Sequence, residues 1–413
     1  MIEPNMAEQI PSLLPSFIPG ERILLLADKN TWKAAGERLA GALGASYSLE
    51  CALLREDRMD HIHASVALVE EILAAHPGEY DGYAAVGSGT VNDLTRAVAH
   101  QRNRPYFVFA TAASMNGYTS AIVALLDNGL KTTRQATPPV AVFADPAVLA
   151  EAPREMTLAG LGDLVSKPFC GCDWKIASLV KDEYHCEVPD RLLSTPFAEA
   201  LEVFPRLARR DPEAVERLFR LLLVSGLSMA VTGTSSPASG AEHLISHYWD
   251  MVRLRDREEL NLHGAQVGVG SLVIDRLYRE LARVDFQNAA FRPNPNLENA
   301  RRAIAEEFGS LALAVWPQWE AKLAARTERD LERLRRNERV IKVEIERTLD
   351  VGRKVRRVLA AAGAPTRAAD LGLSAVDLNA AIRQGRKIRN RYTALDVAAE
   401  LGILDTFADR VAF

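Results

Sequence analysis

Three of the chain's eight histidines, His243, His247 and His263, fall within 21 residues. The first two stand four apart in SGAEHLISHYWD, which puts both imidazoles on one face if the segment is helical. Paired imidazoles at that spacing are a common way to hold a metal. The metalloprotease version needs its acid directly after the first histidine; here Glu242 precedes His243, so that general base is missing. A catalytic divalent cation takes about three protein ligands and an open position. Asp163 offers a carboxylate, and in AGLGDLVSK it follows a glycine pair where a second backbone can pack closely. Each piece alone is as readily structural; their combination with a nucleotide-type turn favours a metal.

That turn is AAVGSGTVNDLTRAV, which reads as strand, tight turn, helix. Gly87 and Gly89 let a ligand approach the backbone, and Thr90 opens a helix whose positive end attracts a pyrophosphate. It lacks the third glycine of the dinucleotide fingerprint and the Lys-Ser/Thr of a P-loop. A second turn, FVFATAASMNGYTS, clusters the hydroxyls of Thr111, Ser114, Thr119 and Ser120 at a strand end, although Asn116-Gly117 is a turn signal in its own right. Asp28, closing an earlier strand, could accept from a ribose hydroxyl or simply cap the next helix. The four cysteines are too few for a disulfide scaffold and fit a reducing, cytoplasmic setting. Cys170, Cys172, His185 and Cys186 lack the paired spacing of a structural zinc site and read as plain thiols.

These groups need elements to hold them. Residues 23–27, 48–54, 83–87, 105–111 and 139–145 read as strands, 23–27 and 83–87 as buried ones, alternating with helical stretches at 31–44, 61–76 and from Val91 onward. That alternation predicts a doubly wound parallel sheet, a Rossmann-like α/β domain over 1–155. Beyond it helical patterns dominate, predicting an all-helical domain over 156–413, with ligands in the cleft between the two. The Arg/Glu-rich run 322–357 has mixed signs and reads as a solvated helix face. A net charge of −4 and a pI of about 6.1 argue against a nucleic-acid binder. No apolar run is long enough to span a membrane, and the acidic, proline-bearing N-terminus has no signal-peptide character.

GSGTVND, TAASMNGYTS, FADPAVLAEAP, AGLGDLVSK, SGAEHLISHYWDM and LHGAQVGVG, in this order, resemble the sn-glycerol-1-phosphate dehydrogenase family of the iron-containing alcohol dehydrogenase and dehydroquinate synthase superfamily. The C-terminal IRNRYTALDVAAELGILD resembles the bacterial branch. The resemblance implies a dehydroquinate synthase-like fold and a cytoplasmic homodimer. It implies NAD(P)H-dependent reduction of dihydroxyacetone phosphate to sn-glycerol 1-phosphate. It further implies Asp163, His243 and His263 as ligands of one zinc or nickel ion, and His247 as a substrate contact. Gly87, Ser88, Gly89, Thr90, Val91, Asp93, Thr111, Ser114 and Ser120 would face the nucleotide, and Asp28 its adenosine side. The chain departs from the family where Ser114-Met115-Asn116-Gly117 replaces a Ser-x-Asp-Gly pattern. Asparagine keeps the shape but not the charge of the substrate-contacting aspartate. A dehydrogenase for another polyol, or a nucleotide-binding homologue without catalysis, are the alternatives this opens. Lys167 and Lys175 are candidates for a substrate phosphate, or ordinary surface lysines.

Overall fold

The structure, a computed structural model, describes residues 1–55, 62–127, 130–290 and 293–411. Its contacts divide the chain into two compact units, residues 1–160 with 196–233, and residues 161–195 with 234–413.

The first unit is built on a five-stranded parallel sheet. β1 (Arg22–Asp28), β2 (Ser48–Leu54), β3 (Gly82–Gly87), β4 (Tyr106–Ala110) and β7 (Ala141–Ala144) lie in the order β2-β1-β3-β4-β7. β3 and β4 are buried along their whole length, as strands covered on both faces must be. Chain direction across the sheet reverses between β1 and β3, which pair in register through Leu25 and Ala84. Asp28 and Gly87 therefore end neighbouring strands at the topological switch point, where doubly wound sheets bind ligands. The N-terminal helix Met6–Leu13 buries Met6 and Ile10 in the same core as Phe107, Phe109 and Phe143.

Several elements differ from the sequence-based expectation. A separate antiparallel hairpin, β5 (Ile122–Asp127) and β6 (Leu130–Gln135), stands beside the sheet. The helix expected over 31–44 is interrupted by a wider π-type turn at Trp32–Gly36. The helix expected over 61–76 begins at Val66, where Ser65 accepts from the Leu68 amide at 3.1 Å; its first residue, His61, lies outside the described residues. A single boundary at 155/156 does not match the compact units either, because residues 196–233 return to the first. The helix Pro212–Thr232 is tied there by the Thr119 hydroxyl, which donates to the Leu223 carbonyl at 2.7 Å, and by Asn116 Nδ2, which donates to Ser225 Oγ at 3.2 Å.

The second unit is helical. Among its helices are Lys167–Lys181, Ala241–Asp256, His263–Arg283 and the 35-residue Glu328–Ala362. The last is amphipathic: Leu334, Ile341, Ile345, Val355 and Leu359 are buried while its arginines line the solvated side. Two backbone approaches set the unit's geometry. A Cβ on Gly162 would lie 2.1 Å from the Gly264 carbonyl oxygen, and one on Gly268 only 3.0 Å from the Gly162 Cα. One on Gly270 would lie 2.7 Å from the Glu242 carbonyl oxygen. Three helices thus meet backbone to backbone beside Asp163, Glu242 and His263. We expect Gly162→Ala to lower stability by about 1–3 kcal/mol or more, since the obstacle is backbone and cannot swing aside. Gly171→Ala, where an added methyl meets nothing within 4 Å, should raise it by roughly 0.5–1 kcal/mol. Urea denaturation midpoints check the pair; equal effects would contradict the packing described.

Candidate metal and nucleotide sites

The site residues predicted from sequence separate cleanly between the two units. Asp28, Gly87 to Val91, Asp93, Thr111, Ser114, Asn116 and Ser120 all lie in the first; Asp163, His243, His247 and His263 all lie in the second.

In the first unit, the helix Gly89–Gln101 starts directly after β3. Its N-cap, Ser88, makes no side-chain bond to the first turn; its hydroxyl is hydrogen-bonded to that of Ser114 instead. The opening amides of a 13-residue helix are thus left without a side-chain cap at the switch point. The Thr111 amide donates to the Gly87 carbonyl at 3.1 Å, which joins the two strand-end turns. Two predicted contacts are engaged elsewhere. Asp28 Oδ1 accepts from the amides of Asn30 (2.7 Å) and Thr31 (2.8 Å), the helix-capping alternative. Ser120 is fully buried and accepts from Arg96 at 3.0 Å.

Sequence reasoning missed Arg96. Its guanidinium is buried and donates to the Gly117 (2.7 Å), Tyr118 (3.0 Å) and Ile122 carbonyls as well as to Tyr106. Asp93 lies 3.6 Å away on the same helix. Arg96 therefore holds the whole segment from Gly117 to Ile122, and with it the turn that carries Asn116. We expect Arg96→Ala, which strands several buried acceptors, to cost on the order of 3 kcal/mol. A thermal or urea titration checks this, and a loss under about 1 kcal/mol would mean that the loop is held by other contacts.

In the second unit, the predicted metal residues come together. Asp163 is buried on the helix Arg154–Val165, and its Oδ1 lies 3.7 Å from His243 Nε2. The His243 and His263 rings are 5.2 Å apart between centroids, and His247 stacks on His263 at 5.3 Å. Two atoms each about 2.1 Å from one tetrahedral cation would stand about 3.4 Å apart, so the Asp163–His243 spacing fits a shared ion. Protonation states fit as well. Burial pushes the Asp163 carboxyl up, but Lys167, His243 and His263 outweigh it and hold the group below the usual range. Burial depresses His243, against the opposing charge of Glu242, so the ring is a neutral donor at pH 7.

Three neighbours of this cluster, Lys167, Glu242 and Asp250, have places that the sequence did not give them. Lys167 is no surface lysine: its ammonium is buried and donates to Asp163 Oδ1, Ser166 Oγ and the Ala238 carbonyl, each at 3.0 Å. The i, i+4 spacing of Asp163 and Lys167 was the available signal. Lys175 instead sits, half-buried, near His185, whose pKa burial lowers first and the Lys175 charge lowers further. Glu242 is fully buried, and its Oε1 faces His243 Nδ1 at 2.7 Å. Asp250, a buried carboxylate one turn beyond His247, groups with His247 and His263 so that their donor atoms lie within 4.8 Å of one another. Of the cysteines, Cys170 alone joins a cluster of metal-ligand type among the described residues, with Glu242 and His243.

An open cavity of about 780 Å³ elsewhere in this unit includes none of these residues in its lining. Its charges pair with one another, Lys322 with Asp396 at 2.7 Å and Lys181 with Asp330 at 2.5 Å, and it reads as an ion-pair junction between helices.

Residues 1–153 match the family model for iron-containing alcohol dehydrogenases. The chain is 31% identical over 384 residues to a glycerol-1-phosphate dehydrogenase [NAD(P)+] of Geobacillus stearothermophilus, covering 92% of this chain and 87% of that one. It is 33% identical over 287 residues to the protein of the same name from Halalkalibacterium halodurans, covering 68% and 72%. Among solved structures, a probable glycerol dehydrogenase from Sinorhizobium meliloti aligns with a TM-score of 0.63 over 100% of this chain and 97% of that one, at 19% identity. That likeness shows the fold: a parallel-sheet α/β domain followed by a helical one.

Proposed function

Because the chain belongs to the glycerol-1-phosphate dehydrogenase family, we propose that it reduces dihydroxyacetone phosphate to sn-glycerol 1-phosphate, reversibly, with NAD(P)H and one divalent cation. The observation that carries this reading is Asp163 Oδ1 standing 3.7 Å from His243 Nε2, with the half-buried His263 ring 5.2 Å from that of His243. Zinc or nickel suits one carboxylate and two imidazoles. When bound, the cation supplies Lewis acidity at the ketone and the nicotinamide supplies hydride.

The chain's own residues do the rest. Asp163 is kept anionic by the Lys167 ammonium, and His243, lowered by burial, presents a neutral ring nitrogen. His247, half-buried and stacked on His263, orients the substrate and carries a proton to or from its oxygen, a task suited to imidazole near neutral pH. In the first unit, the opening amides after β3 attract the dinucleotide's pyrophosphate. Gly87 keeps that turn tight, since a Cβ there would lie 2.7 Å from Val91 Cβ. Ser88, Ser114 and Thr111 keep the two strand-end turns together. Asn116, holding Ser225 through its amide, contributes a neutral group to the substrate end. We assign the active form as a homodimer working in the cytoplasm.

The test is NADH and NADPH oxidation over dihydroxyacetone phosphate, dihydroxyacetone and, in reverse, glycerol, with added Zn2+ or Ni2+. Turnover should be strongly selective for the phosphorylated ketone. Selective turnover of glycerol would transfer the reading to a polyol dehydrogenase, with Asn116 as the reason. NAD(H) binding with no turnover of any substrate would make it a non-catalytic homologue.

Acid release of the cation gives an independent check. A ligand with a depressed pKa stays unprotonated to lower pH, and both Asp163 and His243 are depressed. Cation content after dialysis should therefore stay level from pH 8 through the ordinary imidazole range near 6.5 and fall only below it. Release beginning above pH 7 would contradict these assignments.

A further inference from the structure

Glu242 is among the most expensive residues in the second unit. Its side chain is fully buried, and Oε2 has no hydrogen-bond partner. Oε1 is crowded by comparison: the Gly240 amide (2.8 Å), the Cys170 thiol (2.9 Å) and His243 Nδ1 (2.7 Å) all face it. A second buried carboxylate, Asp173, is near enough for the two charges to interact. Gly240 fits between them, since a Cβ there would lie 2.8 Å from Asp173 Oδ2 and 2.9 Å from Glu242 Oε2. A carboxylate with an orphan oxygen beside a like charge is a poor way to hold helices together; a glutamine or an apolar side chain would cost less.

The geometry gives that charge a use. A carboxylate can only accept, so the 2.7 Å contact places a proton on His243 Nδ1. The Nε2 lone pair then points to the Asp163 side, where the 3.7 Å gap to Oδ1 is too long for a hydrogen bond and fits two ligands of one ion. Free imidazole has no such fixed tautomer. The Gly240 amide at the start of the same helix and the Cys170 thiol from the helix Lys167–Lys181 hold the carboxylate, so that it cannot turn away from the ring.

We propose that Glu242 is a positioning residue for cation binding: it locks His243 in the Nδ1–H tautomer, aims Nε2 at the ion and raises that nitrogen's basicity, while Gly240 and Cys170 hold the carboxylate in place. The inference rests on the reading of Asp163, His243 and His263 as one cation site. Partners of this kind cost 10–100-fold in metal affinity when removed.

The experiment is chelator competition for Zn2+ on the full chain and on Glu242→Gln, with His263→Ala as reference, alongside the thermal midpoint of each metal-free protein. Glu242→Gln should lose about 10–100-fold in Zn2+ affinity while its metal-free midpoint stays level or rises, because a buried orphan charge has been removed. A purely structural residue would instead lower the midpoint and leave affinity in the folded fraction unchanged, and that result overturns the proposal. Wild-type affinity in Glu242→Gln with loss in His263→Ala would overturn it too, leaving the cation site standing. Wild-type affinity in both variants would remove the cation site itself. Should Glu242→Gln not fold, the nitrogen-15 spectrum of the metal-free wild-type protein decides: His243 must show the Nδ1–H tautomer, and an Nε2–H tautomer overturns the assignment.

Discussion

The placement of the Asp163, His243 and His263 side chains depends on three helices that meet backbone to backbone. Such contact leaves the helices no room to slide or roll, so each side chain keeps one position relative to the others. Gly162 and Gly268 bring the Asp163 helix onto the one that begins with His263, and Gly270 brings the latter onto Glu242. No methyl group fits at these crossings. The same contacts that bury the backbone also bury the carboxylates, so the packing that makes the site possible creates its electrostatic difficulty.

That difficulty is answered locally. Lys167 offsets Asp163, and the backbone and thiol donors offset one oxygen of Glu242. Arg391, half-buried and bonded to Ser235 and Ser239, adds positive charge that Glu242 and Asp173 feel. Burial and the charge of Glu242 still push Asp173 up to about 7, even though it accepts from Tyr278 and from the amides of Ala241 and Ala394. The interior around the histidines is thus left rich in anionic groups, the environment that favours a bound cation. In the first unit Arg96 does the opposite work, spending one buried positive charge on carbonyls to give a loop a single shape.

Much of this was legible in the residues. Near-continuous apolar runs marked β1, β3 and β4 to within a residue, because strands covered on both faces leave little room for polar side chains; the edge strands β2 and β7, more exposed, were still found to within two residues. The β5–β6 hairpin was missed: β5 is only partly buried, β6 runs through the exposed Thr133, Arg134 and Gln135, and the apolar pattern is weak, although Asn128-Gly129 is a known hairpin signal in the sequence. The grouping of residues 196–233 with the first unit could not be read, since it depends on hydrogen bonds such as Thr119 to Leu223 that span about a hundred positions. The residue types of the metal cluster were visible in AGLGDLVSK and SGAEHLISH; their support was not. Glu242 was noticed only for standing on the wrong side of His243 to serve a protease, and its bond to the ring needed coordinates. Asp28 and Ser120 carry structural duties beside any nucleotide contact, Asp28 as a helix cap and Ser120 as an acceptor for the buried Arg96.

The central claim is that Asp163, His243 and His263 bind one cation. Anomalous diffraction from crystals of the Zn2+-loaded protein tests it most directly. The account predicts one strong peak about 2.0–2.2 Å from an Asp163 oxygen and from a nitrogen of each histidine. A peak seated instead on His247, Asp250 and His263, with Asp163 still paired with Lys167, would contradict it.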